Sequence, residues 1–207
     1  RRRHTRYWRD WSSDVCSSDL EAQRRGATIV TIDPFQSRTA ERSDIWLPIR
    51  PGTDAALALG IAHVLLRDNL VDRDYLSRHA KGLEEFTRRA MAEYSPGQAS
   101  VMCGLEEAAI EHLARLYGTT RPSLIRLNYG LQRHGGGGMA VRAITCLPAL
   151  TGDWRHPGAG ALLSTSQSYP TRSDFEFQRM DLIPQGTRTI NMTRLADALE
   201  GKEPGPP

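Results

Sequence analysis

Eight residues near the amino end, Ala27-Thr28-Ile29-Val30-Thr31-Ile32-Asp33-Pro34, admit few conformations. Side chains branched at Cβ favour an extended backbone. The run is continuous rather than alternating, the pattern of a strand covered on both faces in a parallel sheet. Asp-Pro closes it, because the residue before a proline is driven out of the helical region. Just upstream, Glu21-Ala22-Gln23-Arg24-Arg25-Gly26 reads as the end of a helix with a C-cap glycine.

The same alternation continues along the chain. Ile45-Trp46-Leu47-Pro48-Ile49 is a second short strand, and Pro51-Gly52-Thr53-Asp54 opens a helix with Thr53 or Asp54 as N-cap. Leu57, Ile61, Val64 and Leu65 follow as a single apolar stripe. Helices are predicted at Asp72–His79, Leu83–Tyr94 and Glu106–Tyr117, and a strand at Pro122–Gly130. The glycine-rich stretch Gly135–Gly138 leads into a helix from Met139 to Leu150. Strands alternating with helices define an α/β class, a Rossmann-like parallel sheet flanked by helices. After Thr151 the texture turns to Gly, Pro, Ser and Thr, so residues 152–207 read as a loop-rich extension with a weak helix at Thr193–Glu200. Glu203–Pro207 reads as a linker.

Residues 1–20 differ from the rest. They carry five arginines against three aspartates, so most of the chain's net charge of +3 sits there. The run Asp10–Leu20, DWSSDVCSSDL, resembles the conceptual translation of a sequencing adapter and is set aside as non-native. The α/β domain is therefore expected over residues 21–151. Without the arginine-rich start, nothing in the charge balance points to nucleic acid. No apolar run approaches the roughly 18 residues of a membrane span.

Candidate chemistry is limited to binding. Asp33 ends its strand, the position where an acid takes ribose hydroxyls in open α/β sheets; a plain Asp-Pro turn is the alternative. Ser37, Arg38 and Thr39 follow in a loop able to hold a phosphate or a base edge. The Asp54 carboxylate can accept from N1–H and the 2-amino group of guanine, with Gly52 allowing close backbone approach; a plain helix cap is the alternative. The loop from Asn128 to Gly138, with Gln132, Arg133 and four successive glycines, offers either an anion cradle or a mobile turn. It is neither a Walker motif nor a GxGxxG. The chain has no HExxH, CxxC or GxSxG, and Cys103 and Cys146 read as small apolar packing. No catalytic residue and no metal ligand is assigned.

Three stretches go further together: GATIVTIDPFQSRTAERSDIWLPIRPGTDAALALGIAHVLL (Gly26–Leu66), IRLNYGLQRHGGGGMAVRAITCLPALTGDWRHPGAG (Ile125–Gly160), and the helices between them. They resemble the molybdopterin oxidoreductases of the dimethyl sulfoxide reductase and formate dehydrogenase class. The resemblance implies that residues 21–151 hold one molybdopterin guanine dinucleotide bearing Mo or W. It implies Asp33 and Asp54 at the guanosine end, with Gly52 beside Asp54. It puts Gln132 and Arg133 in a loop near the pterin. Phe35 stands where the family has arginine, while Ser37, Arg38 and Thr39 match the polar positions that follow. Gly135 replaces the usual asparagine, and Pro157-Gly158-Ala159-Gly160 departs from the usual Pro-Gly-Gly-Gly.

The same resemblance implies an internal fragment of a longer oxidoreductase. The metal-ligating residue and, in many members, a 4Fe–4S centre would lie before this sequence, and the second dinucleotide domain after it. The small-molecule substrate, the redox partner and the compartment are not legible. A nicotinamide or thiamine-diphosphate enzyme, or a non-catalytic guanine-nucleotide module, are the alternative readings.

Overall fold

A computed structural model describes residues 17–163, 179–187 and 190–202. The arginine-rich start, most of the adapter-like run, residues 164–178 of the extension and the Glu203–Pro207 linker lie outside the described residues. The chain divides into two compact units, residues 1–164 and 165–207.

The first unit opens with α1, Ser17–Arg24. It begins inside the adapter-like run and ends as expected, with Gly26 at φ +95° and the Gly26 amide donating to Gln23 O at 2.9 Å. Strands β1, Val30–Ile32, and β2, Ile45–Leu47, pair in parallel, Val30 opposite Ile45 and Ile32 opposite Leu47. The crossover between them holds only a short 3₁₀ turn at Ala40–Arg42. Asp44 fastens this region. Its carboxylate accepts from the Ile29 amide at 2.8 Å and from Gln23 Nε2 at 3.1 Å, and the Ile29 hydrogen bond above all holds its pKa below the ordinary carboxylate value.

Helix α2, Asp54–Arg67, is the centre of the unit. The expected stripe Leu57, Ile61, Val64 and Leu65 is buried, but so are Ala56, Ala58, Gly60, Ala62 and His63. The helix is therefore covered nearly all round rather than along one face. Its neighbours are α4, Leu83–Glu93, α5, Pro96–Cys103, α6, Glu107–Thr119, and α7, Gly137–Thr151. The short α3, Arg73–His79, packs against α7. Gly60 lets α5 come close: a Cβ there would stand 2.7 Å from Ala99 Cβ.

Helix α5 was not expected from the sequence, yet its start is a complete capping box. The Ser95 hydroxyl accepts from the Gln98 amide, the Gln98 side chain accepts from the Ser95 amide, and Pro96 takes the first helical position. Helix α7 starts at Gly137, earlier than the predicted Met139, because Gly136 at φ +101° turns the chain into it.

Beyond α6, strands β3, Leu124–Arg126, and β4, Gly160–Leu162, make a second parallel pair, Leu124 opposite Gly160. The α/β class and the parallel pairing are as expected. Among the described residues the strands form two separate ladders, and each strand has one neighbour. This explains why β1 is only half covered, with Ile32 41% exposed, where both faces were expected to be buried.

In the second unit a 3₁₀ turn covers Met180–Leu182, and another, Met192–Arg194, leads into α8, Leu195–Leu199, within the predicted Thr193–Glu200. No described helix is long and apolar enough to cross a membrane.

Candidate nucleotide-binding site

The site is built at the amino end of α2. The turn Arg50-Pro51-Gly52-Thr53 closes through Thr53 N to Arg50 O at 3.3 Å. Proline in its second position and glycine at φ +79° in its third are the signature of a type II turn. The Thr53 hydroxyl donates back to Arg50 O at 2.6 Å and makes no cap bond to α2. Thr53 stands at the N-cap, as predicted, capping through its carbonyl, which accepts from the Ala56 and Leu57 amides; Asp54 is the first helical residue. The half-buried Asp54 carboxyl is held above its ordinary pKa by burial; a hydrogen bond from its own backbone and the charge of His134 oppose the rise, and Asp33 adds to it.

Four further hydrogen bonds hold the turn from behind. The Arg50 guanidinium donates to Val101 O at 3.2 Å and Met102 O at 2.9 Å, covering carbonyls in the last turn of α5. The Arg50 amide donates to Cys103 O at 2.8 Å. The Cys103 thiol, whose pKa burial raises, points at Thr53 O at 3.6 Å.

Asp33 follows β1 directly. Its amide donates to Leu47 O at 3.2 Å, its carbonyl accepts from Trp46 Nε1 at 2.9 Å, and its Oδ1 accepts from the Phe35 amide at 2.8 Å. The Asp-Pro turn is thus present, made by one carboxylate oxygen. Ser37 Oγ accepts from the Ala40 amide at 3.3 Å, and Thr39 O accepts from Arg42 and Ser43 amides. Arg38 is exposed. Among the described residues, no hydrogen bond joins Ser37, Arg38 or Thr39 to the Gly52 turn or to the 130–138 loop.

That loop arrives from the other side. Tyr129–Gln132 is a 3₁₀ turn capped by Asn128. The chain then reverses so tightly that a Cβ on Gly137 would stand 2.5 Å from Gln132 Cα, while Gly135, Gly136 and Gly138 face open space. Gln132 and Arg133 are exposed. His134 reaches the turn, its Cε1 and Nδ1 each 3.7 Å from where a Gly52 Cβ would be. The fold therefore brings Asp33, Gly52, Asp54 and His134 into one neighbourhood. His134 was not singled out from the sequence, and its position beside Gln132 and Arg133 was the available signal.

The stretch after α7 has a different role. Asp153 is fully buried; its carboxylate accepts from Thr151 Oγ1 at 2.7 Å and the Ser123 amide at 3.4 Å, and pairs with Arg121 Nε at 3.7 Å. Gly160, at φ +101°, leaves room for Trp154, whose Cε3 lies 2.7 Å from the ideal Cβ position. This loop packs β4 against α7. Among the described residues, no group of three or more His, Cys, Asp or Glu is arranged to hold a metal ion.

Comparison with known proteins places this geometry among relatives. A family model described as "Molybdopterin oxidoreductase" matches residues 17–194. The probable oxidoreductase YoaE of Bacillus subtilis (strain 168) is 40% identical over 97% of this chain and 30% of its own. Dimethyl sulfoxide reductase DmsA of Escherichia coli (strain K12) is 36% identical over 86% of this chain and 24% of its own. The solved acetylene hydratase from Pelobacter acetylenicus superposes with a TM-score of 0.63 and 32% identity, over 66% of this chain and 19% of that one. The chain thus spans less than a third of the length of these relatives.

Proposed function

The chain belongs to the molybdopterin oxidoreductase family, and from that premise we propose that it holds a molybdopterin guanine dinucleotide, guanosine end at the Gly52 turn. The observation that carries the reading is Asp54. It is a half-buried carboxylate at the head of α2, not used as a cap, beside a glycine at positive φ that brings no side chain of its own to the turn. A carboxylate so placed accepts from guanine N1–H and the 2-amino group, a pair of donors adenine does not offer.

The remaining residues fit the same group. Asp33 has a carboxylate oxygen for a ribose hydroxyl, and Arg38 brings a cation for the diphosphate from the Ser37–Thr39 loop. The 130–138 loop, with Gln132 and Arg133, serves the pterin end. When bound, the group supplies two-electron chemistry at its molybdenum or tungsten. This chain's part is binding and orientation. The oxidoreductase activity, the small-molecule substrate, the redox partner and any 4Fe–4S centre belong to the same proposal for the whole protein. The relatives' names span a sulfoxide reductase, a probable oxidoreductase and a hydratase, so no substrate is named.

Calorimetric titration of the purified chain with GMP and AMP tests the reading. Saturable GMP binding, with AMP weaker by about tenfold or 1.4 kcal/mol, supports it. Equal affinity for the two, or preference for an adenine dinucleotide, sinks it.

A further inference from the structure

The 130–138 loop and the Gly52 turn meet through His134. Its ring lies 3.7 Å from the ideal Cβ position on Gly52, two residues before Asp54, and its charge acts on the Asp54 carboxyl. Guanine presents two kinds of group side by side: N1–H and the 2-amino group donate, while O6 and N7 accept. Asp54 serves the donors only, since an ionised carboxylate has no proton to give. O6 is adjacent to N1, so a base seated on Asp54 requires a donor close by. An imidazole N–H is such a donor in either tautomer.

We propose that His134 is a guanine-binding residue, donating to the 6-oxo group of the base whose N1–H and 2-amino group are held by Asp54. This rests on the guanosine reading above and adds a residue from the loop that the resemblance assigns to the pterin end. The base is then gripped by two segments eighty residues apart in the chain, one supplying acceptors and the other a donor.

The test compares GMP with 6-thio-GMP, which keeps N1–H and the 2-amino group but offers sulfur, a weaker acceptor, in place of O6. Wild-type chain should prefer GMP severalfold. His134→Ala should weaken GMP by about fivefold and bring the two ligands to near-equal affinity. Asp54→Asn should weaken both and leave their ratio as in the wild type. A residue that merely props the turn would not move that ratio.

A second measurement needs no variant. Diethyl pyrocarbonate labels exposed imidazoles, and GMP should slow labelling of His134 while leaving His156 unchanged. His156 lies past the far end of α7, a helix of 15 residues, about 22 Å long. Wild-type binding of GMP with an unaltered ratio in His134→Ala, or with unslowed labelling of His134, overturns the inference and leaves the guanosine reading standing. Failure of the wild type to bind GMP removes both.

Discussion

The His134 ring stands 3.7 Å from the point where a side chain on Gly52 would begin. Such spacing is ordinary van der Waals contact, so it is the backbone of Gly52, at φ +79°, that demands glycine. Substitution there separates backbone strain from crowding.

Gly52→Ala should therefore destabilise the chain by about 1 kcal/mol, a fall of about 2–4 °C in melting temperature for a chain of this size. Gly52→Asn should cost less, because Asn tolerates the left-handed region. Thermal unfolding of both variants checks this, and an Asn variant less stable than the Ala variant would point to crowding by His134 instead.

Asp54→Asn should trade affinity for stability. Losing the carboxylate should weaken GMP binding by about 1–3 kcal/mol. Burial raises the folded-state pKa of Asp54 above its ordinary 3.8, so the folded state favours the protonated form. The wild type then loses stability as pH rises from the unfolded value through the raised folded value. The ligand-free variant lacks that loss. Its melting temperature should match the wild type in acid and exceed it at neutral pH, and an unchanging gap across that range would refute the burial argument.

Gly137 and Gly138 are neighbours with opposite expectations. A Cβ on Gly137 would meet Gln132 backbone atoms at 2.5–2.8 Å, which cannot rotate away. Gly137→Ala should cost about 3 kcal/mol and displace the loop that carries His134. Gly138 faces open space within α7, so Gly138→Ala should stabilise by up to about 1 kcal/mol through helix propensity. Chemical denaturation of the pair gives both values, and similar effects at the two sites would contradict the placement of the loop.

Asp153 is fully buried and serves Thr151, the Ser123 amide and Arg121 together. Asp153→Ala leaves those donors without their acceptor and should cost about 3 kcal/mol, while Asp153→Asn, which keeps one acceptor oxygen, should cost less. GMP affinity of the folded fraction should be unchanged, since Asp153 belongs to the packing of β4. Calorimetry on the Asn variant reads that directly.

What could be read from the sequence was what local chemistry determines. The turn at Pro51-Gly52, the end of β1 at Asp33 and the helix following Asp54 are each specified by residues within a few positions of one another. The capping box at Ser95 was equally local and would have revealed α5. The covering of α2 on nearly all sides was not legible, because Gly60 and Ala62 mark a second buried face only once α5 and α7 have docked. The nearness of His134 to Asp54, and the burial of Asp153 in a stretch that reads as loop, likewise depend on chain segments distant in sequence.

The turn that presents Asp54 is bolted to the end of α5 by Arg50 and Cys103. On the guanosine reading proposed above, an arriving nucleotide meets a preorganised edge, and little configurational freedom is left to be lost there on association. The same reading predicts an encounter governed by diffusion and charge rather than by waiting for a loop to close.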